Sequence, residues 1–233
     1  MSTFKFTDKT LAVIKNFSQL NPSLVISPDR VEVISTHKSA IGRYFFEEPL
    51  PIEEIGVYDT PELLSILSIY KTPDIIPNGT KYITITEGSS KVKYFLTASS
   101  LLPKVLIQNK FGATEIKERL ETIGCELEFI LPAEKLNMLL KMCGLIRSEW
   151  IFLETVEGAI RLTVGDELES SNNTWEISLT TDITTNELKK PLKLNVSDLR
   201  LVSADYAVKI SSKGMSGWTS STGIEYYIGV FAV

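Results

Sequence analysis

Residues that usually carry chemistry are scarce in this chain of 233 residues. There is one histidine, His37, in a polar loop over residues 36–42, next to Lys38 and close to Arg43. No cysteine or carboxylate stands at metal-ligand spacing from it, and a lone loop histidine is more often incidental than a ligand. The two cysteines, Cys125 and Cys143, form no CxxC pair. Cys143 falls on an apolar helix face, so reduced thiols and a cytosolic setting are expected. The phosphate loop GxxxxGK[ST], the dinucleotide fingerprint GxGxxG, the nucleophile elbow GxSxG and the zinc motif HExxH are all missing. Acidic neighbours occur at Glu53-Glu54 and Asp166-Glu167, in turns too flexible to hold general acid–base chemistry in a fixed geometry. A non-catalytic protein without metal or cofactor is expected, with an enzyme built on those acids as the catalytic alternative.

Long apolar runs are missing too. None approaches the roughly 18 residues of a membrane span, and MSTFKFTDKT lacks the apolar core of a signal peptide. A soluble, intracellular protein is the expectation. The formal net charge of -5 argues against a chain that coats nucleic acid with its whole surface. It leaves room for a local basic face, because phosphate responds to the distribution of charge and not to its sum. A hydrophobic share of 43% is enough for one large domain or two ordinary ones.

What is present begins with residues 7–20, TDKTLAVIKNFSQL. On a helix Leu11, Val13, Ile14, Phe17 and Leu20 gather on one side, and Lys9, Ala12, Lys15, Asn16 and Gln19 on the other. Thr7 is a good N-cap and Asp8 suits the first turn. The pattern returns at residues 132–146, PAEKLNMLLKMCGLI. Shifted back by ~126 positions, Glu134 falls on Asp8, Lys135 on Lys9, Leu139 on Val13, Leu140 on Ile14 and Lys141 on Lys15. A second echo links residues 80–98 to residues 207–233. Each is an alternating strand, a polar turn and a strand ending in an aromatic pair, Tyr94-Phe95 or Tyr226-Tyr227. Two structural repeats of about half the chain each are expected.

In order, Asn21-Pro22 ends the first helix, and strands are expected at 24–27, 30–35, 44–46 and 52–58. Asp59 or Thr60 caps a second helix with Pro61 at its first position and Leu63, Ile66, Leu67 and Tyr70 as its buried stripe. Ser65, Ser68 and Lys71 face out. Strands at 81–86 and 91–98 close the first half. Residues 99–124 form a connector, irregular and apolar at first, then one short charged helix in ATEIKERLETIG. Its Leu101, Leu102, Val105, Leu106 and Ile107 either pack on a sheet or form a docking surface. The second half offers strands near 125–131, 149–156, 159–164 and 174–181, an acidic loop GDELESSNN, and a fourth helix in NVSDLRLVSADY with Arg200 outward. Sheets with four modest helices near residues 8, 61, 133 and 197 make an α+β chain.

Two stretches carry a resemblance. TLAVIKNFSQLNPSLVIS followed by IGVYDTPELLSILSIYK, in that order and at that spacing, resembles the sliding clamp of T-even-type bacteriophages. The motif is specific at Ile14-Lys15-Asn16-Phe17 and at Val57-Tyr58-Asp59 with Leu64 and Ile66-Leu67-Ser68. The connector departs most, since its charged helix has no counterpart in that family's pattern. The resemblance implies a clamp fold with two similar domains, 1–110 (including the start of the connector) and 111–233. Each is built of two βαβββ units, with antiparallel sheets outside and helices on one face. It implies a homotrimeric ring around double-stranded DNA, read without sequence preference, that tethers a DNA polymerase and needs a separate clamp-loader ATPase to open it. The setting would be the cytoplasm of an infected bacterium, with no membrane involved. Lys9, Lys15, Lys71, Lys135, Lys141 and Arg200 would face DNA. Partner peptides would dock near Leu101, Leu102, Val105, Tyr227 and Val230. The alternative is a non-catalytic, β-rich structural or adaptor protein of a virus, whose lysine faces are merely solvated.

Overall fold

The computed structural model describes residues 3–103, 108–109, 112–113, 116–165, 173–179 and 188–233. The chain divides into two compact units, Met1–Val105 and Leu106–Val233. The expected boundary between residues 110 and 111 lies outside the described residues.

In the first unit helix α1 spans Asp8–Leu20. Thr7 caps it, its hydroxyl accepting from the Thr10 amide at 3.1 Å. Thr10, Val13, Ile14, Phe17 and Leu20 are buried. Leu11, expected inside, is half-buried because Thr10 takes the inward place. An isolated helix of thirteen residues is marginal in water. Four apolar side chains at roughly 1.5–3 kcal/mol each hold it to strands 30–34 and 40–45. Thr7→Ala should cost about 1 kcal/mol and lower the melting temperature of this unit by a few degrees in a thermal scan.

The strands Leu24–Ile26, Arg30–Ile34, Ala40–Phe45 and Ile55–Val57 make an antiparallel meander in the order 40–45, 30–34, 24–26, 55–57. Helix α2, Thr60–Leu67, follows with Asp59 as its cap. The strands Asp74–Asn78, Tyr82–Glu87 and Ser90–Phe95 then form a second meander, bridged at Ile75 by Phe4. Strand Asp74–Asn78 was not expected, because Pro77 weakens any strand signal; its place beside a mere bridge is where proline is tolerated. Residues 40–42 are strand and not loop, and Arg43 is buried and ion-paired to Glu32 at 2.8 Å.

The second unit repeats the order. Leu127–Leu131 leads into α4, Ala133–Ile146, then Trp150–Val156, Ala159–Gly165, Trp175–Leu179 and Leu192–Asn195. The meander order is 175–179, 159–165, 150–156, 192–195, with Phe231–Ala232 added at the end. Tyr206–Ser211, Met215–Thr219 and Ile224–Gly229 pair in sequence, with Leu127–Leu131 beside the first of them. The first unit thus contains two passages of βαβββ type, the leading strand of the first reduced to the bridge at Phe4, and the second unit contains one followed by a passage whose helix is a 3-10 turn. Cys143 is buried on α4, which pushes its thiol up to about 11.

One element differs from expectation. Where α2's counterpart should stand, residues Val196–Asp198 make one turn of 3-10 helix. The Val202 amide donates to Tyr226 Oη at 3.1 Å, and Tyr206 Oη donates to the Val202 carbonyl at 2.8 Å. Two buried tyrosines therefore take the backbone groups that a longer helix would need. The connector helix α3, Ile116–Ile123, forms as expected, and it is built into the second unit. Ile116 and Leu120 are buried, and Leu120 lies over Gly217, where a Cβ would sit 2.5 Å from Leu120 Cδ2.

Candidate functional site

The basic positions divide by geometry. In the first unit α1 packs beside α2, and a groove of about 690 Å³ runs along the pair. Leu11, Leu64, Leu67 and Tyr70 supply apolar walls, while Lys5, Lys15 and Lys71 supply positive charge against a single lining acid, Asp8. Three features fix its far wall. Asp59 accepts from the Glu62 amide at 2.9 Å to start α2. Tyr94 Oη donates to the Asp59 carbonyl at 2.8 Å, and burial raises its hydroxyl to about 12. Beyond α2, Glu87 accepts from the amides of Thr72 at 2.6 Å and Lys71 at 3.2 Å, which holds its carboxyl below the usual range and pins the backbone under Lys71.

Lys15 is exposed near the centre of the solvent face of α1. Lys9 is not beside it. At about 100° per residue the two lie roughly 120° apart, and Lys9 stands on the flank of the helix. Its Nζ donates to Glu47 Oε1 at 3.1 Å and rests 5.6 Å from the Tyr44 ring centroid. The bond to Glu47 raises its pKa. The groove therefore brings together Lys15, Lys71 and Lys5, a residue that the helix pattern could not reveal, and leaves Lys9 aside.

In the second unit the solvent face of α4 is centred on Glu134, Met138, Lys141 and Leu145, with Lys135 half-buried on its flank. The loop after the 3-10 turn runs beside the start of this helix. Asp205 accepts from the Ala133 amide at 2.7 Å, and Asn137 donates to Ser203 at 2.9 Å. Arg200, just past that turn, is exposed. Among the described residues, no acid lies within ion-pair distance of Lys15, Lys71, Lys135, Lys141 or Arg200.

No family model matches the chain. The sliding clamp of Vibrio phage KVP40 is 26% identical over 239 residues, an alignment that spans 98% of this chain and all of the relative. Over nearly its whole length the chain is similar to a phage sliding clamp. Solved structures agree in fold. Archaeoglobus fulgidus PCNA, solved with the C-terminal region of FEN-1 bound, superposes with a TM-score of 0.70 at 12% identity over 100% of this chain and 98% of that one. The PCNA2–PCNA3 complex of Sulfolobus tokodaii gives 0.69 at 10% identity, covering 98% and 99%. DNA polymerase III subunit beta of Pseudomonas aeruginosa gives 0.64 at 13% identity, covering 99% of this chain and 64% of that one.

The expected partner residues of the clamp do not form one surface. Leu101 is 78% exposed, whereas Leu102 is buried and packs over Gly56, where a Cβ would meet Leu102 Cδ1 at 3.1 Å. Tyr227 and Val230 are buried, at 4% and 5% exposure. Val105 lies outside the described residues, as do Leu106, Ile107 and the acids Asp166 and Glu167. Glu54 is committed locally, accepting from Ser99 Oγ at 2.6 Å. Among the described residues no cluster of histidine, cysteine and acids has the geometry of a metal site, and no helix is long and apolar enough to cross a membrane.

Proposed function

We propose that three copies of this clamp close into a ring around duplex DNA and hold a replicative polymerase at its template. The observation that carries this is the pair of helices α1 and α4. They stand at equivalent places in two repeated units, and each presents near the middle of its solvent face an exposed lysine (Lys15, Lys141) that pairs with no acid among the described residues. Lys71 and Arg200 extend the same set. The grip is weak by design: through water at about 8 Å, a lysine–phosphate pair is worth only about 0.5 kcal/mol, close to thermal energy. Backbone contacts of this kind carry no sequence information. Enclosure then retains the duplex while leaving the ring free to glide, and a polymerase bound to the ring keeps a high effective concentration at the primer end.

Ring closure has candidate edges. Strand Ser90–Phe95 ends the second meander of the first unit, with Lys91, Lys93 and Phe95 exposed. Strand Trp175–Leu179 ends the first meander of the second unit, with Glu176 exposed. Head-to-tail pairing of a basic edge with an acidic one gives the heterologous interface that a closed ring uses. Opening the ring falls to a separate loader ATPase, because this chain has no phosphate loop. Leu101 and the connector beyond it are the place offered to partner peptides, and the setting is the cytoplasm of an infected bacterium.

Mass in solution tests the ring directly. Equilibrium sedimentation at high protein concentration should give about three times 26.0 kDa. A monomer that persists at high concentration and gains no mass on closed circular DNA with loader present would favour the viral adaptor instead.

A further inference from the structure

The two units offer different surfaces to the same ligand. In the first, α1 and α2 flank the groove lined by Lys5, Lys15 and Lys71 against Asp8 alone. Lys5 is partly occupied by Asp74 at 3.5 Å, and both of those side chains are about half exposed. Among the described residues, Lys15 and Lys71 have no such partner. In the second unit the place of α2 is taken by the single turn Val196–Asp198. The centre of the solvent face of α4 there carries one cation, one acid and two apolar side chains, Met138 at 42% and Leu145 at 67% exposure, with Asn137 exposed beside them. An apolar side chain facing a phosphate backbone offers neither charge nor hydrogen bond, so this face can exclude the duplex without holding it.

Resting on the clamp reading above, we propose that the α1–α2 groove is the seat of one DNA strand's backbone. Lys15 and Lys71 neutralise its phosphates, and Lys5 closes the end of the groove. The first unit then supplies most of the attraction to the duplex. The second supplies a smooth wall. DNA passing through such a ring is held by one unit of each copy and merely confined by the other.

Two double variants separate these roles. Lys15→Glu with Lys71→Glu and Lys141→Glu with Arg200→Glu change the net charge of each copy equally, so any difference between them reports placement and not total charge. The measurement is fluorescence anisotropy of a labelled duplex of ~30 base pairs with the intact protein, followed across salt concentration. The first pair should weaken binding at low salt by ~10-fold or more and make its salt dependence shallower. The second should weaken it by less than ~3-fold and leave that dependence nearly unchanged. Lys15→Gln with Lys71→Gln should shift binding in the same direction by less, which guards against a folding defect in the glutamate pair, as does an unchanged melting curve. Equal losses from both pairs, or a larger loss from the second, would overturn the asymmetry and leave the clamp reading standing. A wild-type protein with no salt-dependent affinity for the duplex would overturn both.

Discussion

Replacing Lys15 on α1 and Lys71 just after α2 by glutamate in every subunit should abolish most of the DNA-dependent stimulation of the polymerase while leaving the mass of the assembly unchanged. Both side chains are exposed and, among the described residues, have no acidic partner, so nothing described in the fold depends on them. Each reversal turns an attraction of about 0.5 kcal/mol into a repulsion of similar size. Six such changes in a ring of three sum to about 6 kcal/mol before screening, and physiological salt reduces this to about 2 kcal/mol. That corresponds to a loss of roughly thirtyfold. The measurement is processive synthesis on a long primed template with loader and polymerase supplied, repeated as salt is raised. The defect should be largest at moderate salt, where the wild type still holds DNA. Stimulation equal to wild type, by a variant that still forms trimers, would remove these helices from the DNA-facing side.

The second large effect is on stability. Phe17 is fully buried between α1 and the strands behind it. Phe17→Ala should cost about 3–5 kcal/mol, since it removes an aromatic ring from a close-packed site that cannot collapse around the loss. Against the 5–15 kcal/mol that typically holds a domain together, this brings the first unit near the edge of folding. Its melting transition should fall by about 15 °C or more, and the transition of the second unit should move much less. Phe17→Leu should recover most of the loss. A shift of only a few degrees for the alanine variant would mean that α1 is held elsewhere, and the placement of Lys15 would lose its support.

Much of this was legible in the sequence because it depends on periodicity. The spacing of Val13, Ile14, Phe17 and Leu20, and of Leu136, Leu139, Leu140 and Cys143, marks the inward faces of α1 and α4, with Leu140 only half-buried, and the fixed offset between them marks the repeat. The relative from phage KVP40 bears out the family that the KNF and VYD segments resemble. Periodicity fails where a distant residue decides the outcome. Lys9 and Lys15 both fall on the polar side of α1, yet they stand roughly 120° apart, and Glu47, 38 positions away in the chain, holds Lys9 on the flank. Arg43 reads as a loop cation, yet Glu32 on the neighbouring strand takes it into the sheet. Residues 195–203 have the composition of a helix, but Tyr206 and Tyr226 claim the backbone at Val202. Tyr227 and Val230 lie at the end of an alternating strand, and alternation separates two faces without saying that both are covered. The groove itself was hidden, because its lining comes from Lys5 and Phe6, α1, α2 and the segment that leads from α2 into strand 74–78.

Gly42 bears on how this sequence is free to change. A Cβ there would lie 2.9 Å from Phe17 Cε1 and 3.0 Å from Val33 Cγ1, so the aromatic ring occupies the space that a side chain at position 42 would fill. The two positions form a lock and its key within one subunit. A lineage that enlarges residue 42 must shrink residue 17 at nearly the same time, and correlated substitution at 17 and 42 should therefore outlast the drift of the surface lysines around them.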